Sequence, residues 1–525
     1  MVASGGTSGR FGRRGFLGLA AAGALFGAAG CAPCPSSAGS PRPGTGLVPA
    51  PSAAAAFVAE GSIAEPGATT PHTIHGLLSK PNFFVAHRGS GDNWPEHTMR
   101  AYRQSADAGL KAIEVSVSAT SDGVLVCHHD LTTARLTGTA LTIATATAAS
   151  LAQLRNDARP WLGPATPLEP IPLLTEVLDA FAASHVIFLE DKQGTNAERI
   201  LTLLEKYPDA RQHIIWKQPA SSAGHAQAAA DGYTTWGYVT RADYPRLAEL
   251  VPLVDMLGVH HTAPEDRILE LVDSGKPVIA WEVRRRTEHL RLRELGVRGF
   301  ICSNIRHVLH QEAPRGEDRF GEGLRGTGDL PWKADGGWEE QPGFAGEAVR
   351  LANQERAGYL LGSMAGAVDA PGWELTFELR WPDGLPPAGG SGGAGVAFGQ
   401  STDASYRRES GPGAPGYELD VGAGGRITLS RRDPGAAAAV ELAAGDSPAP
   451  APGEWLAFVV SVAPRSLTVH RMDGGAPRWS VRSDDSRYGG GWFSLLKNYV
   501  AGPAVEFRRV RVRAAAASDR CANVG

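Results

Sequence analysis

Phe83-Phe84-Val85-Ala86-His87-Arg88-Gly89, Ala112-Ile113-Glu114-Val115-Ser116-Val117 and Val124-Leu125-Val126-Cys127-His128-His129-Asp130 follow one plan: a short apolar run that carries or ends in polar residues. Such runs read as buried strands, and polar groups emerging where strands end are placed for a site on an α/β scaffold. Val117 and Val124 are joined by a short turn containing Asp122-Gly123. That turn cannot hold a parallel crossover, so these two strands must form an antiparallel hairpin. Working outward, strands are expected at Phe83–Ala86, Ala112–Val117, Val124–His128, Val186–Glu190, His213–Trp216, Thr234–Val239, Val254–Val259, Pro277–Val283 and Gly299–Cys302. Amphipathic helices fall between them at Met99–Ala108, Leu173–Ala182, Ala197–Lys206, Arg246–Leu250, Arg267–Asp273 and Arg286–Glu294. This alternation is the β/α signature. Thr137–Pro167 gives no clear element and reads as an inserted loop or a small helical excursion beside the site.

Side chains alternate across a strand, so Glu114 shares a face with Ser116, and Glu190 with Lys192. Charges on otherwise apolar strands are costly unless they pair or bind metal, which favours a functional reading. His87 and His129 are candidates for proton transfer, because imidazole titrates near neutral pH. Arg88 and Lys192 could hold phosphoryl oxygens, pair with Glu96 and Glu190, or do both. Trp281 is either a wall against substrate or core packing. His128 reads as structural, and His97 as a residue that positions Glu96. No Ser-His-Asp or Cys-His set suited to nucleophilic catalysis is evident.

Taken in order, His87-Arg88-Gly89, Pro95-Glu96-His97-Thr98, Glu114-Val115-Ser116, Asp122-Gly123, His129-Asp130 and Glu190-Asp191-Lys192 resemble the glycerophosphodiester phosphodiesterase family, over about Pro81 to Leu309. The resemblance implies a distorted TIM (β/α)8 barrel with catalytic His87 and His129. It also implies Ca²⁺ or Mg²⁺ held by Glu114, Glu190 and the position of Ser116. One histidine would deprotonate the glycerol 2-hydroxyl, which attacks phosphorus while the other protonates the departing alcohol; the cyclic phosphate is then hydrolysed. The chain departs from the family at Ser116, where an aspartate is usual, and at Ser303-Asn304, where Thr-Asp is usual. A hydroxyl at 116, or a water held by it, could complete a weaker metal shell; alternatively this branch works with little or no metal. Rival readings are a phospholipase D-like lyase of related barrel form and a catalytically silent envelope-binding protein.

At 525 residues the chain exceeds one core, so two or more domains are expected. A net charge of −4 with scattered arginines supplies no basic field, which argues against a nucleic-acid partner. The five cysteines, at 31, 34, 127, 302 and 521, are too dispersed for a disulfide framework. Arg13-Arg14-Gly15-Phe16-Leu17 before the apolar run to Ala29 reads as a twin-arginine export signal, and Gly27–Cys31 looks like a lipobox. Either Cys31 is then lipidated, placing the protein on the outer face of the cytoplasmic membrane, or the chain is simply cleaved nearby, leaving it extracellular.

The expected boundaries are signal 1–31, Pro/Ala/Ser-rich tether 32–80, barrel 81–312, linker 313–336, sandwich 337–515 and tail 516–525. Alternation at Trp373–Trp381, Gly416–Val421, Arg426–Ser430, Leu456–Val462, Ser466–His470 and Val505–Val512 predicts an all-β jelly-roll sandwich. That arrangement looks like a concanavalin-type domain. Trp381, Tyr406, Trp492 and Tyr499 could stack on envelope glycans, or fill the core.

Overall fold

The computed structural model describes residues 72–311, 315–331, 343–352, 358–362, 372–386, 393–404, 414–436 and 438–515. Arg13, Arg14, Cys31, Tyr406 and the expected tail lie outside them. Among the described residues, no helix is long and apolar enough to cross a membrane.

The strands of the first half are β1 (Phe83–Ala86), β2 (Ala112–Ala119), β3 (Leu125–Cys127), β4 (Val186–Asp191), β5 (Ile214–Pro219), β6 (Thr234–Val239), β7 (Met256–His260), β8 (Val278–Val283) and β9 (Gly299–Cys302). Eight run parallel in the order β1-β9-β8-β7-β6-β5-β4-β2, and a β1–β2 pairing at Ala86 and Ile113 closes the barrel. β3 pairs antiparallel with β2 outside the ring, as the Asp122-Gly123 turn requires. Runs such as Val186-Ile187-Phe188-Leu189 are apolar on both faces because each strand is covered twice, by the barrel interior and by a helix. Thr98 Oγ1 accepts from the Ala101 amide at 3.1 Å and so starts the helix Met99–Asp107.

The inward residues Val85, Ala112, Phe188, Ile215, Trp236, Met256, Ile279 and Ile301 fill the barrel floor. Ile74 and Leu77, from a short helix Ile74–Leu78, pack beneath them. This helix falls at the end of the stretch assigned to the tether; its two buried apolar residues belong to the barrel. Gly258 lies against the Trp236 ring, where any Cβ would come within 2.4 Å of it. The excursion after β3 contains the short helices Ala134–Thr137, Ala148–Leu151 and Arg159–Leu162. The helix Gly224–Ala230, which the hydrophobic pattern does not predict, has four alanines among its seven residues and no large apolar side chain to form a stripe.

The second half is two antiparallel sheets, each of seven strands among the described residues. Trp373–Arg380 and Leu456–Ala463 alternate buried and half-buried positions along their whole length. Leu375, Phe377, Phe458 and Phe507 of one sheet share a core with Val396, Phe398, Tyr417 and Leu495 of the other, so the sheets stack face to face. Trp381 belongs to that core, with its indole N–H donating to the Tyr499 hydroxyl at 3.0 Å. Trp492 packs edge-on against His307 of the barrel at 5.9 Å. Trp381 is therefore core and not a stacking platform, which corrects that reading for it, while Trp492 is half-buried.

The stretch expected as a linker is docked along residues 315–331. The Ala165 amide donates to Gly323 O at 3.1 Å, Asn304 Nδ2 to Thr327 O at 2.5 Å, and the Asp318 amide to Val510 O at 2.9 Å. Asp403 of the sheets reaches the barrel helix Arg286–Glu294, accepting from the amides of Arg286 at 2.5 Å and Thr287 at 3.0 Å. The same carboxylate meets His307 Nε2 at 3.0 Å.

Candidate active site

Stepping by two up each strand from the apolar floor leads to the polar mouth. Ala112 gives way to Glu114 and Ser116, Phe188 to Glu190 and Lys192, Ile215 to Lys217, Trp236 to Tyr238, Ile279 to Trp281, and Ile301 to Ser303. His87, Arg88 and Gly89 follow β1 in a turn with left-handed backbone at Arg88, Gly89 and Ser90. A side chain at Gly89 would strike Ala101 Cβ at 2.7 Å, so glycine is required there. Ser90 Oγ fixes the turn to the end of β9, donating to Ser303 O at 2.9 Å.

At the centre, Lys217 lies between Glu114 and Glu190. Its ammonium donates to Glu114 Oε1 at 2.9 Å and to Glu190 Oε2. Lys192 Nζ and the Tyr238 hydroxyl donate to Glu190 Oε1 at 3.1 and 2.9 Å. The Arg88 amide donates to Glu114 Oε2 at 2.7 Å, and Ser116 Oγ donates to Oε1 at 3.3 Å. Burial alone would push both carboxyls up. The ammoniums overcome it, chiefly Lys217, holding Glu190 at about 2 and Glu114 well below the usual carboxylate range. Burial opposes the Lys217 charge in the same way, and its two carboxylates raise it above an ordinary lysine.

Each expected histidine has a carboxylate behind it. His87 Nδ1 lies 2.8 Å from Glu282 Oε2 and 2.7 Å from Ser303 Oγ. His129 Nδ1 lies 2.8 Å from Asp130 Oδ1, while its Nε2 faces Lys192 Nζ at 3.2 Å. A carboxylate on Nδ1 fixes the ring and leaves Nε2 for chemistry. Burial, then the Arg88 and Lys192 charges, lower His129 to about 4 against the pull of Asp130, so its ring is neutral near pH 7. Arg135 Nε donates to Asp130 at 2.6 Å, and its Nη2 to the buried Glu96 at 2.7 Å. Glu96 also takes Arg88 Nη1 at 3.1 Å. Arg88 and Arg135 therefore position Glu96. His97 does not; its Nδ1 meets the Tyr102 hydroxyl at 2.7 Å. His128 is structural, its Nε2 against Thr132 O at 3.1 Å.

Trp281 is half-buried and meets Tyr238 edge-on at 5.2 Å and His260 at 5.8 Å, forming an aromatic wall of the mouth. Asn304 accepts from Asn93 Nδ2 at 2.8 Å. Cys127 and Cys302 are fully buried, and burial raises both thiols far above the ordinary value, as befits small core residues.

Lys217 and Glu282 were missing from the sequence reading. The apolar run that begins at His213 stops at Trp216, one residue short of Lys217, although the parity of Ile215 points to it. Glu282 follows inward-facing Trp281 and should point outward by alternation. The β8–β9 register shifts between Ala280 and Val283, and the regular alternation breaks there.

The donor set does not fit Ca²⁺ or Mg²⁺. A hard divalent cation needs carboxylate lone pairs. Here both oxygens of Glu114 and both of Glu190 already accept from internal donors. Ser116 adds no charge, and among the described residues no group of three His, Cys, Asp or Glu could hold a metal. The expected metal set of Glu114, Glu190 and Ser116 is corrected on these grounds.

Residues 87–307 match the model of the glycerophosphoryl diester phosphodiesterase family. The glycerophosphodiester phosphodiesterase GDPD6 of Arabidopsis thaliana is 43% identical over 53 residues, 10% of this chain and 14% of that protein. YhdW of Bacillus subtilis is 24% identical over 229 residues, 42% of this chain and 93% of YhdW. The crystal structure of an Agrobacterium tumefaciens glycerophosphodiester phosphodiesterase aligns at 18% identity with a TM-score of 0.36, covering 42% of this chain and 96% of that one. The chain spans a third or less of the length of the first curated relatives it matches. With its ring of eight parallel strands and its motifs in order, the segment 87–307 is a domain of the glycerophosphoryl diester phosphodiesterase family.

Proposed function

We propose that this chain is an exported phosphodiesterase that hydrolyses glycerophosphodiesters to glycerol phosphate and an alcohol. Its substrates would be deacylated phospholipid headgroups or glycerol-phosphate polymers of the wall. One observation carries the reading: a continuous line of contacts from the His129–Asp130 pair through Lys192, Glu190, Lys217 and Glu114 to the amide beside the His87–Glu282 pair. Two proton-transfer groups flanking a cationic centre suit in-line displacement at phosphorus. Neutral His129 takes the proton of the glycerol 2-hydroxyl as its oxygen bonds to phosphorus. His87, as an imidazolium backed by Glu282, gives its proton to the departing alcohol. Water then opens the cyclic phosphate with the two roles exchanged. Arg88 and Lys192 hold the non-bridging oxygens, and Trp281 with Tyr238 forms the wall against glycerol.

Arg13-Arg14 and the Gly27–Cys31 segment support export, with Cys31 as the point of lipid attachment or of nearby cleavage. We read the two C-terminal sheets as a concanavalin-type sandwich. Bracing the barrel is favoured over binding glycan, because Trp492 and Asp403 are spent on barrel contacts.

The test is release of glycerol 3-phosphate from glycerophosphocholine, glycerophosphoethanolamine and glycerophosphoglycerol. Folded His87→Ala and His129→Ala variants should each lose about 10²-fold or more in turnover. Inactivity of the parent protein on every diester, or near-normal turnover in either variant, rejects the assignment. A cyclic phosphate that accumulates as the end product, seen by phosphorus NMR, would favour the lyase.

A further inference from the structure

We propose that the Lys217 ammonium takes the place of the divalent cation on which this family generally depends, so that phosphodiester cleavage by this chain needs no metal. The proposal rests on the reading of the site as a phosphodiesterase centre.

The backbone sets the arrangement. Ser116 is in register with Glu190 across β2 and β4, and Glu190 with Lys217 across β4 and β5. Three adjacent strands therefore bring these positions to one level of the barrel. Two departures act in the same direction: serine at 116 removes a negative charge from the position where the family carries aspartate, and lysine at 217 adds a positive one. Glu114 and Glu190 are matched in charge by Lys217 and Lys192. A divalent ion added to this set would leave two surplus positive charges before any substrate arrives.

Lys217 also has nowhere to withdraw. It is buried, and its Nζ lies 5.7 Å from the Trp236 ring centroid and 5.4 Å from that of Tyr238. Admitting a metal would strand the ammonium inside the barrel without its carboxylates. Two of its three N–H donors go to the glutamates, and the third is left for a phosphoryl oxygen. In the reaction the glycerol oxygen bonds to phosphorus, the bond from phosphorus to the alcohol oxygen breaks, and both protons travel through the histidines. Lys217 changes no bond; it contributes fixed charge where a metal would otherwise contribute it.

The experiment uses the full-length protein dialysed exhaustively against EDTA, with residual metal counted by mass spectrometry. Turnover should stay within about twofold of the untreated protein, and calorimetric titration with CaCl₂ or MgCl₂ should give no saturable binding up to about 1 mM. Lys217→Ala should lose about 10²-fold or more in turnover, with Lys217→Gln standing in if the alanine variant does not fold. The double variant S116D/K217A should acquire saturable Ca²⁺ binding at least about tenfold tighter than the parent. Activity lost on chelation and restored by Ca²⁺ or Mg²⁺ overturns the proposal. So does saturable binding to the parent that Glu114→Gln weakens, or a double variant that binds no better than the parent. If the protein cleaves no diester with or without metal, the assignment of function falls, while the titrations still decide whether Lys217 excludes the cation.

Discussion

Replacing Glu282 with glutamine tests whether the carboxylate behind His87 does more than orient a ring. Glu282 Oε2 lies 2.8 Å from His87 Nδ1, and at an effective dielectric of about 20 that separation corresponds to about 6 kcal/mol between a carboxylate and an imidazolium. Net of desolvation, a hydrogen bond between charged groups contributes about 1.5 to 3 kcal/mol, and the upper end applies to this buried pair, while Arg284 on the other oxygen of Glu282 is common to parent and variant. Ser303 Oγ, 2.7 Å from the same nitrogen, continues to hold the ring in Glu282→Gln, so geometry is spared and charge is lost. About 3 kcal/mol corresponds to roughly 10²-fold in rate. The expected result is a kcat lower by about that factor, KM within about threefold, and an unchanged circular dichroism spectrum. Steady-state release of glycerol 3-phosphate measures it. A folded variant with kcat within about threefold of the parent would refute the reasoning, and Ser303 would then be the partner that matters.

His129 serves as a base only when neutral, and it is held at about 4; kcat/KM should stay level as pH falls from 7 to about 5 and drop through about 4. Lys192→Met removes one of the charges that depress His129, so the acid limb should move to higher pH; a parent limb near 6.5 would contradict the burial argument. Asp403→Ala removes the acceptor for two helix amides and should cost about 1 to 2 kcal/mol, lowering Tm by several degrees in a thermal melt. His307 and those amides overcome the effect of burial and lower Asp403 to about 2. Its contribution should therefore be complete above the ordinary carboxylate range, lost as pH falls through about 2, and absent from the Asp403→Ala protein. Changing Arg13 and Arg14 together to lysine should retain precursor inside the cell on fractionation; unaltered export would reject the twin-arginine reading.

Glu114, Glu190 and Lys192 were legible because a charge on an apolar strand stands out, and strand parity says which way it points. Parity also placed Ser116 correctly, yet it could not show what had replaced the missing carboxylate. That answer lay on another strand, at Lys217, and only the parallel pairing of β5 with β4 sets it beside Glu190. Glu282 was hidden for the opposite reason, since the irregular register of β8 breaks the rule that had worked elsewhere. The docked course of residues 315–331 was invisible because its attachments, such as Thr327 O to Asn304, use backbone carbonyls that any composition would supply.

The reach of Asp403 to the Arg286 amide spans 117 residues of chain. At about 5 to 20 residues per second, a ribosome takes roughly 6 to 23 seconds to make that interval. Once β9 has been made, the nascent barrel has all of its strands but one helix end whose amides await an acceptor on a segment not yet synthesised. Completion of the barrel is thus timed by the part of the protein that carries none of its chemistry. A chain truncated after residue 312 would remain permanently in that unfinished state.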